Sequence, residues 1–193
     1  MKGEKEMSKE YTFRIYPTNL QEKIIIDTFY ACRQLWNQMV KKATDAYDFT
    51  GKFIIPSKKS IIQHCKFFAS LDKQHVIIEK NALNNVRREL MSAYNEFINM
   101  PFSKQIQIGK GGRPRFLPKQ IRSSVEYSRD IFVVTVTSGC KINNGLSNSV
   151  VRLGVLGAIL GEAINDFNDE GELEEYSITY RNRMYYCTLK YKT

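Results

Sequence analysis

The sequence predicts an α+β fold, in which a small antiparallel β-barrel carries a helical bundle inserted after its first strand. Three observations support it. Apolar and polar residues alternate over 11–16, apolar residues recur at helical spacing over 18–99, and alternation returns beyond Pro101. The predicted domains are residues 10–17 with 101–193 for the barrel, and residues 18–100 for the helical insertion.

The first predicted strand runs directly into the first predicted helix. Pro17 has no backbone N–H to donate to a strand ladder, so we expect the strand to end there. Thr18 and Gln21 have the spacing of a capping box, which predicts a helix from about residue 19 to residue 47. Its predicted apolar stripe comprises Leu20, Ile24, Leu35 and Met39, flanked by Ile25, Phe29, Cys32, Trp36 and Val40.

Two further helices are predicted over residues 58–71 and 76–98, each with apolar residues three and four positions apart. The polar face of the later helix bears Lys80, Asn81, Asn84, Asn85, Arg87 and Arg88. Such a face is either a binding surface or an ordinary solvated helix surface.

The region after Pro101 begins with a basic stretch rich in glycine and proline, which predicts an exposed loop. Strands are then predicted over residues 123–127, 131–137, 149–156, 175–180 and 185–191. Turns are predicted at Gly139 and at Asn143-Asn144-Gly145. With residues 11–16 this makes about six strands, few enough to close into one small barrel.

The charge of the chain favours an anionic partner, most simply a nucleic acid. Twenty-nine Lys and Arg against 20 Asp and Glu give a net charge of +9 at pH 7. Residues 1–160 hold 25 basic and 13 acidic side chains, whereas residues 161–175 hold seven acidic and no basic ones. We expect nucleic acid to be attracted to the first region and repelled by the second.

Catalytic and metal-binding motifs are not recognised in the sequence. His64 and His75 lack an obvious partner, and the four cysteines form no C-x-x-C pair. The acidic run over 161–175 lacks the spacing of a calcium loop, so a solvated surface is the favoured interpretation. We therefore expect a nucleic-acid binder with no catalytic site, no metal and no cofactor.

A cytoplasmic location and no membrane partner are also expected. The sequence has no run of about 18 apolar residues, and its first ten residues are too charged for a signal peptide.

Aromatic and basic residues are interspersed in the loop and in the late strands. They are Phe102, Lys104, Arg113, Arg115, Phe116, Lys119, Arg122, Tyr127 and Arg129, followed by Tyr180, Arg181, Arg183, Tyr185 and Tyr186. Cationic side chains neutralise phosphates while rings stack on unpaired bases, each stacked base contributing about 1 to 3 kcal/mol. Strand alternation instead assigns about half of the rings to the interior of the barrel.

Residues 11–40 resemble the opening of the TnpB proteins of bacterial insertion sequences, RNA-guided nucleases related to the type V CRISPR effectors. The matching residues are Tyr16, Pro17, Thr18, Gln21, Arg33, Trp36 and Asn37, then Ala93, Tyr94 and Phe97, and Gly112, Pro114 and Phe116. VVRLGVLG and the Tyr185-Tyr186 hairpin are similar to the family's last strands before its nuclease domain. The resemblance covers residues 10–192.

The resemblance implies a wedge domain for the barrel and a recognition domain for the helical insertion, which together hold a structured guide RNA and the target DNA. By this comparison Asn84 and Asn85 are candidates for contacts to flanking DNA bases, and Lys80, Arg87 and Arg88 for contacts to phosphates. The full predicted nucleic-acid-binding set is Lys80, Asn81, Asn84, Asn85, Arg87, Arg88, Lys110, Arg113, Arg115, Lys119 and Arg122.

The family cleaves with Asp and Glu residues of a RuvC-like domain, which is followed by a zinc ribbon. This sequence ends about where the first of those carboxylates is expected, so the resemblance implies binding without cleavage by this chain alone. A separately encoded RuvC-like nuclease half, or a full-length relative, would then be a partner.

Two other interpretations remain open at the level of sequence. The first helices could form a helix-turn-helix that binds duplex DNA, although no clear short turn is visible between them. Alternatively, the chain could be an interaction or inhibitor module that acts on a nuclease, with its acidic segment mimicking nucleic acid.

Overall fold

The computed structural model describes residues 8–50, 59, 63, 77–99, 131–135, 140–167 and 171–192. The strands in this part of the chain are β1 (Ser8–Tyr16), β2 (Ile131–Thr135), β3 (Lys141–Asn144), β4 (Asn148–Leu153), β5 (Gly157–Glu162), β6 (Glu172–Arg181) and β7 (Met184–Lys192). The two long helices are α1 (Asn19–Thr50) and α2 (Lys80–Asn99). Neither has an apolar stretch long enough to cross a membrane.

All described strands join one antiparallel sheet in the order β2-β6-β7-β1-β5-β4-β3. The first strand lies at its centre, because β1 pairs with β7 from Ser8 opposite Lys192 to Ile15 opposite Tyr185. On its other side β1 pairs with the end of β5, where Tyr16 lies opposite Leu160. The sheet therefore depends on contacts between the two ends of the chain.

One face of the sheet is buried and the other is open, as the burial along its strands shows. Buried and more accessible residues alternate along β4, β5 and β7, because successive side chains of a strand point to opposite faces. The buried face carries Phe13, Ile15, Val151, Leu153, Ile159, Tyr176, Ile178, Tyr185, Cys187, Leu189 and Tyr191. The fold thus has the one-sided burial that is typical of antiparallel sheets.

Residue contacts divide the chain into two units. The first comprises Met1–Phe29, Ile77–Ala82 and Val125–Thr193 and holds the described sheet. The second comprises Tyr30–Val76 and Leu83–Ser124. Its buried side chains include Cys32, Leu35, Met39 and Val40 of α1, and Leu83, Leu90 and Tyr94 of α2.

The α+β class and the antiparallel sheet are confirmed, but closure into a barrel is not. Within the described strands, β2 and β3 are the two ends of the strand order and do not pair with each other. The prediction of one strand over 149–156 was wrong at its end, because residues 154–156 form a short 3-10 helix. The predicted strand over 123–127 and nearly all of the predicted helix over 58–71 lie outside the described residues.

Leu20 was predicted to belong to the apolar stripe of α1, but it is 66% exposed. It lies in the first turn of the helix, and the buried residues of that stripe begin one turn later, at Ile24 and Ile25.

The capping box between β1 and α1 is confirmed. The Thr18 N–H donates to Gln21 Oε1 at 3.0 Å, and the Gln21 N–H donates to Thr18 Oγ1 at 3.4 Å. The Gln21 amide nitrogen also donates to the carbonyl oxygens of Leu156 and Ala158, both at 2.8 Å. A primary amide has two N–H donors and one acceptor oxygen, and Gln21 uses all of them here.

A buried carboxylate links other parts of the same unit. Glu79 is 5% exposed, its Oε1 accepts from the Asn81 N–H at the start of α2, and its N–H donates to Thr28 Oγ1. A Cβ on Gly154 would lie 2.7 Å from Glu79 Oε2, and Gly154 has a positive φ of 43°. Both constraints favour glycine at that position. Burial, with the charge of Glu79 as the second cause, raises the pKa of the nearby Tyr176.

We expect Gln21→Ala to lower the free energy of unfolding by about 2 to 3 kcal/mol, because it removes the bond from the Thr18 N–H and the two bonds to Leu156 and Ala158. Thr18→Ala removes only the contacts of the Thr18 hydroxyl group with Gln21 and should cost about 1 kcal/mol. Urea denaturation of both variants measures the difference. Equal destabilisation by the two substitutions would show that the bonds to Leu156 and Ala158 contribute nothing.

Candidate nucleic-acid interface

The predicted binding residues on α2 differ in how accessible they are. Asn84 and Arg88, one helical turn apart, are both exposed, as is Lys80 at the start of the helix. Asn81 and Arg87 are half-buried. The Nε of Arg87 is buried and has no hydrogen-bond partner in the described part of the protein. The surface of α2 therefore offers an amide and two cations rather than all six predicted side chains.

Asn84 and Asn85 were predicted together as base-contacting residues, and the structure separates them. Asn85 is 5% exposed, and its side-chain oxygen accepts a hydrogen bond from the Arg88 guanidinium. Because that oxygen already has a partner and the side chain is buried, Asn84 is the residue of the pair that presents its amide to solvent.

The remaining predicted binding residues belong to the stretch after Pro101 that the sequence predicts to be a basic loop. Lys110, Arg113, Arg115, Lys119 and Arg122 lie outside the described residues, so their assignment to nucleic-acid binding stays a prediction.

The open face of the sheet carries a second set of basic and aromatic side chains. Thr12, Arg14 and Tyr16 of β1 lie on this face, since the intervening Phe13 and Ile15 are buried. Arg14 is the cross-strand partner of Tyr186 on β7. The pairing of β1 with β7 therefore brings together residues more than 170 positions apart in the sequence.

Two arginines on this face lie against tyrosine rings. Arg14 Cζ is 4.9 Å from the centroid of the Tyr16 ring, and Arg181 Cζ is 4.3 Å from the centroid of the Tyr186 ring. These distances are within the range of cation–π interactions. We call these four residues the Arg–Tyr platform.

The tyrosines of the Arg–Tyr platform are held by hydrogen bonds at their hydroxyl groups. The Tyr16 hydroxyl donates to Glu162 Oε1 at 3.0 Å, and that bond is the main reason that the pKa of Tyr16 is raised. The Tyr186 hydroxyl donates to Met184 Sδ at 3.8 Å. Tyr16 therefore remains a neutral donor at neutral pH, and it is 42% exposed.

The arginines and the glutamates of β6 and β7 lie at opposite ends of the hairpin that these two strands form. Arg181 and Arg183 are exposed at the hairpin end, and in the part of the chain that the structure describes neither is ion-paired with a carboxylate. Glu174 and Glu175 lie at the other end, with carboxylate oxygens 3.9 and 3.7 Å from Lys190 Nζ. Arg181 is six positions after Glu175, which is about 20 Å along a strand.

Sequence reasoning found part of this surface and missed the rest. Tyr180, Tyr185 and Tyr186 were predicted to divide between interior and binding roles, and Tyr185 is indeed buried while Tyr186 lies on the open face. Arg14 was not identified as a candidate. Its position between the buried residues Phe13 and Ile15 predicts that Arg14 lies on the open face of the sheet. The sequence alone does not show that Tyr186 is its cross-strand neighbour.

The fold and these surfaces define a basic α+β protein whose sheet and second helix expose cationic, amide and aromatic groups. Residues 7–52, about a quarter of the chain, match the family model for the helix-turn-helix domain of IS605 OrfB proteins. The N-terminal segment is therefore similar to that of the IS605 OrfB, or TnpB, transposases, and this similarity indicates nucleic-acid binding. No curated protein matches the chain.

The matched segment has an unexpected structure for a domain of that description. Residues 8–50 contain β1 and then α1, which continues from Asn19 to Thr50 without a break. A helix-turn-helix requires a short turn between two helices, and these residues contain none. The described part of the matched segment therefore does not itself contain a helix-turn-helix. The alternative in which the first two predicted helices form one also needs residues 51–71, nearly all of which lie outside the described residues.

We expect Asn85→Ala to lower the free energy of unfolding by about 1 to 2 kcal/mol relative to Asn84→Ala. Both substitutions gain the same helix propensity, so their difference reports the buried contacts of Asn85, which include the bond from Arg88. Chemical denaturation of the two variants provides the measurement. If Asn84→Ala proved the more destabilising, the assignment of Asn84 to the exposed face would be wrong.

Proposed function

We propose that this chain is a nucleic-acid-binding module of a TnpB-like, transposon-associated protein, and that it holds a structured guide RNA together with the DNA that flanks a target. The similarity of residues 7–52 to the OrfB family is the observation that carries this proposal. The capping box at Thr18 and Gln21 adds support, because it fixes the strand-to-helix junction on which the resemblance to TnpB proteins is based.

The charge distribution supports an RNA or DNA ligand over an uncharged one. The net charge is +9, and the acidic residues of β6 lie at the end of the strand remote from the exposed arginines. An anionic backbone can therefore approach Arg181 and Arg183 without close repulsion from Glu174 and Glu175. Glu162, from the same acidic run, lies beside Tyr16 and accepts a hydrogen bond from its hydroxyl group.

In this proposal the DNA contact belongs to α2, and Asn84 is its base-reading residue. An asparagine amide can donate and accept in a bidentate pair with adenine, and Arg88 lies one turn away to neutralise a phosphate. The basic loop, with Arg113 and Arg115, would contact the RNA backbone.

We further propose that cleavage is carried out by another polypeptide, either a separately encoded RuvC-like nuclease or a full-length relative. The resemblance of residues 10–192 is to the family's wedge and recognition domains, and the family's cleaving carboxylates belong to a different, RuvC-like domain. The chain would then contribute recognition, and its partner would contribute metal-dependent chemistry.

Purification of the full chain after gentle lysis, followed by sequencing of the bound nucleic acid, tests the proposal. We expect one defined, structured RNA, which Arg113→Ala with Arg115→Ala should bind more weakly and with a flatter dependence on salt concentration. Lys41→Ala with Lys190→Ala is the control, since it removes the same charge at two lysines that already pair with carboxylates.

Two results would contradict the proposal. Recovery of duplex DNA alone would instead favour the helix-turn-helix alternative. A protein that is free of nucleic acid and shows no salt-dependent binding would exclude a nucleic-acid-binding function.

A further inference from the structure

We propose that the Arg–Tyr platform on the open sheet face is a binding site for unpaired nucleotides of single-stranded RNA. This inference rests on the proposed function and specifies a second RNA contact, separate from α2 and from the basic loop. Its members come from β1, β6 and β7, so the site exists only in the folded sheet.

The site is suited to stacking because it presents flat groups on a rigid support. Tyr16 and Tyr186 lie on the outward side of neighbouring strands, and each ring has a guanidinium group within 5 Å of its centroid. Unpaired bases stack on tyrosine rings and on guanidinium planes, without the need for a particular base. Both tyrosine hydroxyls are hydrogen-bonded, which restrains the rings before a ligand arrives.

Charge complementarity favours a polyanion as the occupant. Arg14, Arg181 and Arg183 contribute three positive charges at this end of the sheet, and within the described residues none is ion-paired with a carboxylate. One acidic residue, Glu162, contacts the platform by accepting a hydrogen bond from the Tyr16 hydroxyl group. A protein partner would need apolar or acidic groups here, whereas a nucleic-acid strand provides phosphates and bases together.

The hairpin turn supports a binding role for Arg183. Asn182 and Arg183 have φ values of 51° and 62°, the left-handed region that glycine adopts without strain in a two-residue hairpin. An arginine there costs stability and places an exposed cation beside the platform. The backbone conformation of the turn therefore disfavours Arg183, which is consistent with a role for its side chain in binding.

RNA is assigned over DNA because hydroxyl-bearing residues continue the open face beside the platform. Thr179 is the cross-strand partner of Tyr186. Thr12 pairs with Thr188 two residues before Arg14 on β1, and their hydroxyl oxygens lie 2.8 Å apart in a hydrogen bond that leaves each hydroxyl further capacity. Their hydroxyl groups can donate to or accept from a ribose 2′-OH, the group that distinguishes RNA from DNA.

Fluorescence anisotropy with a labelled RNA of six CA repeats tests the site in the full chain. Tyr16→Leu should weaken binding about tenfold, because one stacked base is lost. Tyr16→Phe keeps the ring and loses only the bond to Glu162, so it should bind more tightly than Tyr16→Leu. The same sequence as DNA, and as a duplex with its complement, should bind more weakly than the single-stranded RNA.

Arg183→Gly distinguishes a loss of binding from a loss of stability, because it should weaken RNA binding while stabilising the fold. It should raise the melting temperature by about 2 °C, because the strained turn is relieved. It should also reduce the slope of log binding constant against log salt by about 0.7, which corresponds to one lost phosphate contact. Lys190→Gln removes one charge from the other end of β7 and should leave that slope unchanged.

The outcomes separate this inference from the function on which it rests. If the unmodified chain binds none of the three probes and carries no cellular RNA, both fail. If it binds RNA but Tyr16→Leu and Arg183→Gly bind equally well, the platform is overturned while the proposed function stands. Equal affinity for the DNA probe would overturn the assignment to RNA.

Discussion

The side chain of Gln21 is the interaction on which the described sheet unit most depends. Its oxygen caps the start of α1 by accepting from the Thr18 N–H, and its nitrogen holds the carbonyl oxygens of Leu156 and Ala158. One amide therefore fixes the end of β1, the first turn of α1 and the connection between β4 and β5. Because Tyr16 is two residues before Thr18 and lies opposite Leu160 on β5, the same contacts hold Tyr16 on the open face.

Pairing of the two ends of the chain gives the sheet its uneven charge distribution. Residues 161–175 contain seven acidic side chains and no basic one, which in the sequence alone counts against nucleic-acid binding nearby. In the fold, Glu174 and Glu175 lie beside Lys190, while Arg181 and Arg183 lie at the opposite end of the β6–β7 hairpin. The separation allows Glu174 and Glu175 to coexist with an anion-binding surface in one sheet, since screening at physiological salt acts over about 8 Å. Glu162 of the same segment lies at the platform, where it accepts a hydrogen bond from Tyr16.

Local chemistry was predictable from the sequence, whereas cross-strand neighbours were not. The strand that ends at Pro17 and the helix that begins at Asn19 follow from alternation and capping, and both are present. Strands β3 and β5 were missed because β3 has only four residues, the last two of which were predicted as part of a turn, and β5 begins with glycine. The burial of Asn85 and the neighbours of Arg14 arise from tertiary packing, which periodicity in a single sequence does not specify.

Ultraviolet crosslinking of bound single-stranded RNA to the full chain, with mass spectrometry of the modified peptides, tests the central claim most directly. That claim is that the junction at Gln21 and the β6–β7 hairpin present an RNA-binding surface on the open sheet face. We predict crosslinked nucleotides on the peptides that contain Tyr16 and Tyr186. Crosslinks confined to other parts of the chain, with both tyrosine peptides unmodified, would contradict it.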